Sequence, residues 1–139
     1  EIMKEFNVLI VDDEEEFRDV TVKILSKRGL NAQGAQDGQQ ALDILEHSRT
    51  DVVLLDVKMP GMDGIETLRH IRNLKPLVEV VLLTGHASVE SGIEGMKLGA
   101  FDYLMKPIET DPLLEKLNQA YEKKRLHQEK SGRDISFRY

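Results

Sequence analysis

A continuous apolar run at residues 52–55 (Val-Val-Leu-Leu) constrains the fold of this chain more than any other stretch. A run without polar alternation is typical of a parallel strand that is covered on both faces. The run ends on Asp56, and Pro60, Gly61 and Gly64 then force the chain into a loop. Ligands of open α/β sheets bind outside the carboxyl ends of the strands. The stretch therefore predicts a buried strand whose terminal carboxylate borders a ligand crevice.

The rest of the chain alternates between strand and helix patterns. The predicted strands span residues 6–11, 30–36, 52–55, 78–83 and 101–105, and the predicted helices span 14–28, 38–48, 64–74, 87–98 and 112 to about 128. The second strand is weak and polar, which favours a place at a sheet edge. Five strand–helix units favour an α/β fold, with a five-stranded parallel sheet and helices on both faces.

Local signals mark several helix ends. Gly29 is a candidate C-terminal cap for the first helix, and Asp37 is a candidate N-terminal cap for the second. Asp111, followed by Pro112 at the first helical position, is expected to cap the last helix. Residues 129–139 are expected to be poorly ordered.

Two glycines, Gly92 and Gly95, lie inside the predicted fourth helix. An interior glycine destabilises a helix by about 1 kcal/mol relative to alanine. We therefore expect the fourth helix to be the least robust and a candidate moving part.

Four strands that are otherwise apolar end on charged or reactive groups, namely Asp12 with Asp13, Asp56, Thr84 and Lys106. In a parallel sheet these ends share one edge. Three carboxylates in one crevice repel each other and require a cation, and an all-oxygen ligand set without His or Cys suits Mg²⁺. Carboxylates, Mg²⁺, a lysine and a hydroxyl together suit phosphoryl transfer. Asp56 is the candidate nucleophile for an aspartyl phosphate, and Asp12 and Asp13 are the candidate metal ligands.

Longer motifs surround these residues. They are the acidic pair at 12–13, Asp56 followed by Met-Pro-Gly-Met-Asp-Gly at 59–64, Thr-Gly at 84–85 and Phe-Asp-Tyr-Leu-Met-Lys-Pro at 101–107. Their order and spacing resemble the receiver domain of two-component response regulators, of the chemotaxis-regulator-like kind. The resemblance covers about residues 5–125 and leaves 126–139 as a helix end or linker, which we expect to be partly disordered.

The resemblance implies the fold, the phosphoryl acceptor and the metal ligands. The fold would be flavodoxin-like, with strand order 2-1-3-4-5. Asp56 would accept a phosphoryl group from the phosphohistidine of a sensor histidine kinase. Asp12, Asp13, Asp56 and the backbone carbonyl of Lys58 would coordinate Mg²⁺.

The resemblance also implies a switch. Lys106 would contact a phosphoryl oxygen, and the Lys106–Pro107 peptide bond would be cis. The Thr84 hydroxyl would swing toward the phosphoryl group while Tyr103 turns inward. Gly64 would have a structural role. The surface of the fourth helix, fifth strand and fifth helix would then change its partner preference.

Such a domain is a signalling switch, not an enzyme beyond its own phosphorylation and dephosphorylation. Its expected partners are the kinase and an output domain or effector, for instance a DNA-binding transcriptional activator in a longer chain. A homodimer through the fourth-helix, fifth-strand and fifth-helix surface is also expected to be accessible. We favour a receiver module from a larger protein over a complete single-domain regulator.

Two other functions fit a parallel sheet with acidic strand ends. An aspartate-nucleophile phosphatase of the haloacid-dehalogenase kind needs a second acid two residues after the nucleophile. That position holds Lys58 after Asp56, and after Asp12 it holds Glu14 without the Thr or Val expected of such enzymes. A flavodoxin-like cofactor binder needs a Gly- and Ser/Thr-rich phosphate loop after the first strand, where acidic residues stand instead.

Composition narrows the cellular context. The chain has 139 residues, no cysteine and a net charge of −6. Residues 122–139 carry six basic and three acidic residues, whereas the remainder carries 13 basic and 22 acidic residues. A net-acidic body argues against direct nucleic-acid binding. No apolar run is long enough to span a membrane and no secretory leader is visible, so we expect a cytoplasmic protein.

Overall fold

The computed structural model describes residues 5–59, 61–85 and 89–137. Its strands are β1 (Asn7–Val11), β2 (Asn31–Ala35), β3 (Val52–Asp56), β4 (Glu79–Thr84) and β5 (Asp102–Met105). Its helices are α1 (Glu15–Lys27), α2 (Gly38–His47), α3 (Gly64–Leu74), α4 (Val89–Lys97) and α5 (Thr110–Phe137). All neighbouring strands pair in parallel, in the order β2-β1-β3-β4-β5. The predicted α/β class, strand order and edge position of β2 are confirmed.

Alternate residues of the central strands face opposite sides of the sheet, because side chains of a strand point up and down in turn. One layer joins the sheet to α2, α3 and α4, and it contains Leu9, Val53, Leu55, Leu68 and Leu82 among others. The other joins the sheet to α1 and α5, and it contains Ile10, Leu25, Leu54, Leu83 and Leu117. Both faces of β3 are therefore buried, which accounts for its uninterrupted apolar sequence.

Helix ends follow the local signals with one exception. The Asp37 side chain accepts a hydrogen bond from the Gln40 N–H at 2.8 Å, and Gly29 has φ of 93° just after α1. The prediction that Asp111 caps α5 is wrong, because the helix begins at Thr110. Asp111 instead lies in the first turn, where the helix dipole still favours an acid.

The last helix continues past the predicted end near residue 128 and reaches Phe137. The apolar pattern that marked this helix stops at Tyr121, so the sequence offered no periodic signal beyond it. Charged pairs take over there. Arg125 is 3.0 Å from Glu122 and 3.3 Å from Glu129, at helical spacings of three and four. Within the described ranges, no helix is both long and apolar enough to cross a membrane.

Candidate functional site

The carboxyl edge of the sheet brings together the polar residues that follow four of its strands. Asp12 comes directly after β1, Asp56 and Thr84 are the last residues of β3 and β4, and Lys106 comes directly after β5. The Lys106 N–H donates to the Thr84 carbonyl at 2.8 Å, which joins the last two strand ends. Parallel pairing aligns these ends, and so the residues meet although they are far apart in the sequence.

Three carboxylates form a cluster at this edge. One oxygen each of Asp12, Asp13 and Asp56 lies within 4.8 Å of the others. Asp12 is fully buried, Asp56 is buried and Asp13 is exposed, so the cluster opens to solvent on one side. Hard oxygen ligands with an open face suit Mg²⁺, which keeps several of its own water molecules. The residues present therefore fit a divalent cation.

Within the described part of the chain, a single ammonium group faces this acidic cluster. The Lys106 Nζ lies 2.7 Å from Asp12 Oδ2, 3.1 Å from Glu14 Oε1 and 3.7 Å from Asp56 Oδ2. It also lies 4.4 Å from the centre of the Phe17 ring, a cation–π distance. One positive charge thus serves several carboxylates, and the site retains an excess of negative charge.

This environment changes the acidity of Asp56. Burial, followed by the negative charge of Asp12, raises the pKa of Asp56 from 3.8 to about 6. The Lys106 charge opposes this rise, as does the Lys58 N–H, which donates to Asp56 Oδ1 at 3.1 Å. Burial alone would lower the pKa of Lys106, but hydrogen bonds to Asp12 and Glu14 outweigh it and raise that pKa. At neutral pH the site therefore holds an ionised Asp56 beside a charged Lys106.

Glu14 and Arg18 belong to the site although sequence reasoning assigned them no role there. The Glu14 N–H donates to Asp12 Oδ1 at 2.9 Å, and its carboxylate reaches Lys106. The Arg18 guanidinium donates to the Asp12 carbonyl at 2.9 Å. The sequence pointed to Glu14 only as the acid two residues after Asp12 in the phosphatase alternative. Its place directly after the Asp12–Asp13 pair was the one available signal.

Thr84 and Tyr103 lie on neighbouring strands next to α4. Thr84 is fully buried, and its hydroxyl donates a long hydrogen bond of 3.5 Å to the Leu104 carbonyl. Tyr103 is 37% exposed. A Cβ added at Gly92 would lie 3.4 Å from Thr84 Cγ2 and 3.7 Å from Tyr103 Cδ2. Gly92 therefore lets α4 lie directly over both residues.

Two glycines permit close backbone approach near the site. A Cβ at Gly64 would collide with the Asp56 carbonyl oxygen and lie 2.6 Å from Val57 Cα. A Cβ at Gly95 would collide with the Leu82 side chain. The two α4 glycines, predicted to weaken that helix, therefore also serve its packing on the sheet. The Lys106–Pro107 peptide bond is cis.

The fold and this acidic edge match a known family. The family model of the response regulator receiver domain matches residues 8–118, and the chain belongs to this family. Receiver domains are regulatory signalling domains of two-component systems. The phosphatase and the flavin-type cofactor binder considered above are accordingly set aside.

Relatives of known sequence are regulators of greater length. The chain is 38% identical over 129 residues to a putative NtrX-like response regulator of Rickettsia bellii, covering 91% of this chain and 27% of that protein. It is 40% identical over 114 residues to the transcriptional regulatory protein ZraR of Escherichia coli K12, covering 82% and 26%. The chain thus spans about a quarter of the curated relatives that it matches.

Solved structures share the fold. NtrX from Brucella abortus superposes with a TM-score of 0.87 at 32% identity, covering 92% of this chain and 30% of that chain. A CheY-like receiver domain protein from Methanospirillum hungatei superposes with a TM-score of 0.84 at 31% identity, covering 89% and 99%. The matched fold therefore makes up about a third of the NtrX chain and nearly all of the Methanospirillum hungatei chain.

Proposed function

We propose that the chain is a phosphorylation-controlled switch in which Asp56 accepts a phosphoryl group from the phosphohistidine of a sensor histidine kinase. The observation that supports this most strongly is the charge imbalance at the carboxyl edge. Three clustered carboxylates face one ammonium, and the buried carboxylate of Asp56 ends the central strand. A site with excess negative charge is suited to a cation and to the phosphoryl group that the cation accompanies.

The transfer uses the ionised form of Asp56. One of its oxygens attacks phosphorus, the P–N bond to the donor histidine breaks, and the electron pair leaves with the imidazole, which takes up a proton. Asp12, Asp13, Asp56 and the Lys58 carbonyl would hold Mg²⁺, which supplies neutralisation of charge on the phosphoryl oxygens. Lys106, already 3.7 Å from Asp56, would donate to a phosphoryl oxygen.

The switch would begin at Thr84. Among the residues that the structure describes, its hydroxyl makes one hydrogen bond, a long one to the Leu104 carbonyl, so exchanging that partner for a phosphoryl oxygen costs little. Movement of Thr84 would make room for Tyr103, which is partly exposed on β5. Both residues lie against Gly92, and α4 would respond to their movement. The α4–β5–α5 surface would then change its partner preference, which is a shift between two populated states.

The output is proposed to lie outside this chain. Relatives about three times its length are named as regulators, and ZraR is named as a transcriptional regulatory protein. We place the switch in the cytoplasm, upstream of an output domain or effector of the transcriptional-activator type, with a homodimer through α4–β5–α5 available on activation. The domain would catalyse only its own phosphorylation and dephosphorylation and would not itself bind nucleic acid.

The test is the intact mass of the protein after incubation with acetyl phosphate and Mg²⁺. We expect the native chain to gain one phosphoryl group, only when Mg²⁺ is present, and Asp56→Asn to gain none. Asp19→Asn is the matched control, because it removes the same charge from an exposed position on α1. Equal gain in the native chain and in Asp56→Asn would exclude Asp56 as the acceptor.

A further inference from the structure

Lys106 is committed to partners other than the proposed phosphoryl acceptor. An ammonium group has three N–H donors. In the structure the Lys106 ammonium donates to Asp12 Oδ2 at 2.7 Å and to Glu14 Oε1 at 3.1 Å. Asp56 Oδ2 lies 3.7 Å from Nζ, which is beyond hydrogen-bond distance. The Phe17 ring covers another side of the ammonium. Lys106 is therefore drawn toward the α1 side of the crevice.

The two carboxylates that hold Lys106 differ in what a cation would do to them. Asp12 belongs to the three-carboxylate cluster, so a bound cation would take up lone pairs that now accept from Lys106. Glu14 lies outside that cluster, and its side chain is 65% exposed. The hydrogen bond between Glu14 and Lys106 would therefore persist when a cation is bound by the three carboxylates.

The backbone determines where Glu14 stands. Its N–H donates to Asp12 Oδ1, and Arg18 in the first turn of α1 donates to the Asp12 carbonyl. The Glu14 carboxylate is thus presented beside Lys106 by the loop that also carries the metal-site acids. Its contact with Lys106 joins residues 92 positions apart.

We infer that Glu14 is a positioning residue that restrains Lys106 on the α1 side of the crevice and competes with the incoming phosphoryl group for one of its N–H donors. This inference rests on the proposed function. Because the pair is partly exposed, releasing it should have a modest effect, of about two- to fivefold on the phosphorylation rate.

Two variants separate the contact from the charge. Glu14→Gln removes the charge and weakens the bond to Lys106. Glu14→Asp keeps the charge but shortens the side chain by one C–C bond, about 1.5 Å, so the carboxylate no longer reaches the ammonium. If the contact restrains Lys106, both variants accelerate phosphorylation. If only the negative charge at the rim matters, by repelling the anionic donor, Glu14→Asp behaves like the native chain.

The experiment follows intact mass with time in acetyl phosphate and saturating Mg²⁺ for the native chain and both variants. Calorimetric titration with Mg²⁺ alone supplies a second readout. We expect both variants to be about two- to fivefold faster, with a Mg²⁺ dissociation constant within about twofold of the native value, because Glu14 lies outside the cluster. Glu15→Gln is the matched control, because Glu15 is the neighbouring exposed acid, at the first position of α1, and this variant should change neither quantity.

Three results would overturn the inference: a native rate in Glu14→Asp, no acceleration in Glu14→Gln, or a Mg²⁺ affinity weakened about tenfold by Glu14→Gln, which would make Glu14 part of the cation site. Failure of the proposed function is a separate result. In that case the native chain takes up no phosphoryl group, or Asp56→Asn takes up as much as the native chain.

Discussion

The two edges of the sheet both bury acidic side chains, but they balance the charge differently. At the amino edge, Asp51 lies 2.7 Å from Lys124, and Glu79, the first residue of β4, lies 3.6 Å from Lys123. Each acid there has its own lysine, and both lysines come from α5. At the carboxyl edge, three clustered carboxylates face one lysine, Lys106, among the residues that the structure describes. Matched charges hold elements together, whereas unmatched charges provide a site for a ligand.

Of the two ion pairs at the amino edge, the one between Asp51 and Lys124 is also fully hydrogen-bonded. Asp51 Oδ1 accepts from Lys124 Nζ at 2.7 Å, and Asp51 Oδ2 accepts from the Asn7 N–H at 2.8 Å. Only Glu79 Oε1, among the described residues, is buried without a hydrogen-bond partner. The Asp51–Lys124 pair therefore connects α5 to the starts of β1 and β3, at the sheet edge opposite the proposed phosphorylation site.

The largest expected effect comes from breaking that pair. Lys124→Met leaves Asp51 buried without its counter-ion and should lower the free energy of unfolding by about 3–5 kcal/mol. Urea unfolding followed by circular dichroism measures this loss. Lys130→Met, an exposed lysine of the same helix, is the control and should change little. A loss below about 1 kcal/mol in Lys124→Met would mean that the pair is not structural.

A gain in the free energy of unfolding is expected when the charge of Asp56 is removed from the carboxyl edge. Because the pKa of Asp56 is raised to about 6 in the folded state, the folded protein binds this proton more tightly than the unfolded chain. The resulting stabilisation is complete below about pH 4 and is lost as the pH rises through 6. In the absence of Mg²⁺, Asp56→Asn should therefore match the native chain near pH 4 and exceed it by up to about 3 kcal/mol at pH 7.

Urea unfolding of both proteins between pH 4 and 8 tests this pH dependence. Asp19→Asn is the control, because it removes the same charge from an exposed position on α1. An Asp56→Asn protein that is less stable than the native chain at pH 7 would show that the carboxylate contributes to folding, and the contrast between the two edges would fail.

A smaller effect is expected from the backbone packing behind Asp56. Gly64→Ala places a methyl group against the Asp56 carbonyl and Val57 Cα, both of which are backbone atoms that yield poorly. We expect a loss of about 1–3 kcal/mol in the free energy of unfolding, together with slower phosphorylation of the displaced Asp56. Gly85→Ala is the control, since an added Cβ there meets no atom of the described residues within 4 Å. Equal stability of the two variants would contradict the packing role of Gly64.

Much of the carboxyl edge could be predicted from sequence. The apolar runs mark β1, β3 and β4, and parallel strands necessarily bring their ends to one edge, so Asp12, Asp13, Asp56, Thr84 and Lys106 were expected to meet. The order of the strands was less accessible from the residues themselves, because strand–helix alternation is compatible with several orders. Family resemblance supplied it, and the structure confirms it.

The sequence by itself thus determined the elements, the sheet type and the location of the candidate site, because hydrophobic periodicity and strand-end chemistry are local properties. Only the tertiary structure decided which charges are partners. Lys124 meets Asp51 across 73 residues and Glu14 meets Lys106 across 92. Both pairs depend on how α5 and α1 pack on the sheet, and no local pattern encodes a contact that forms only after the helices have docked.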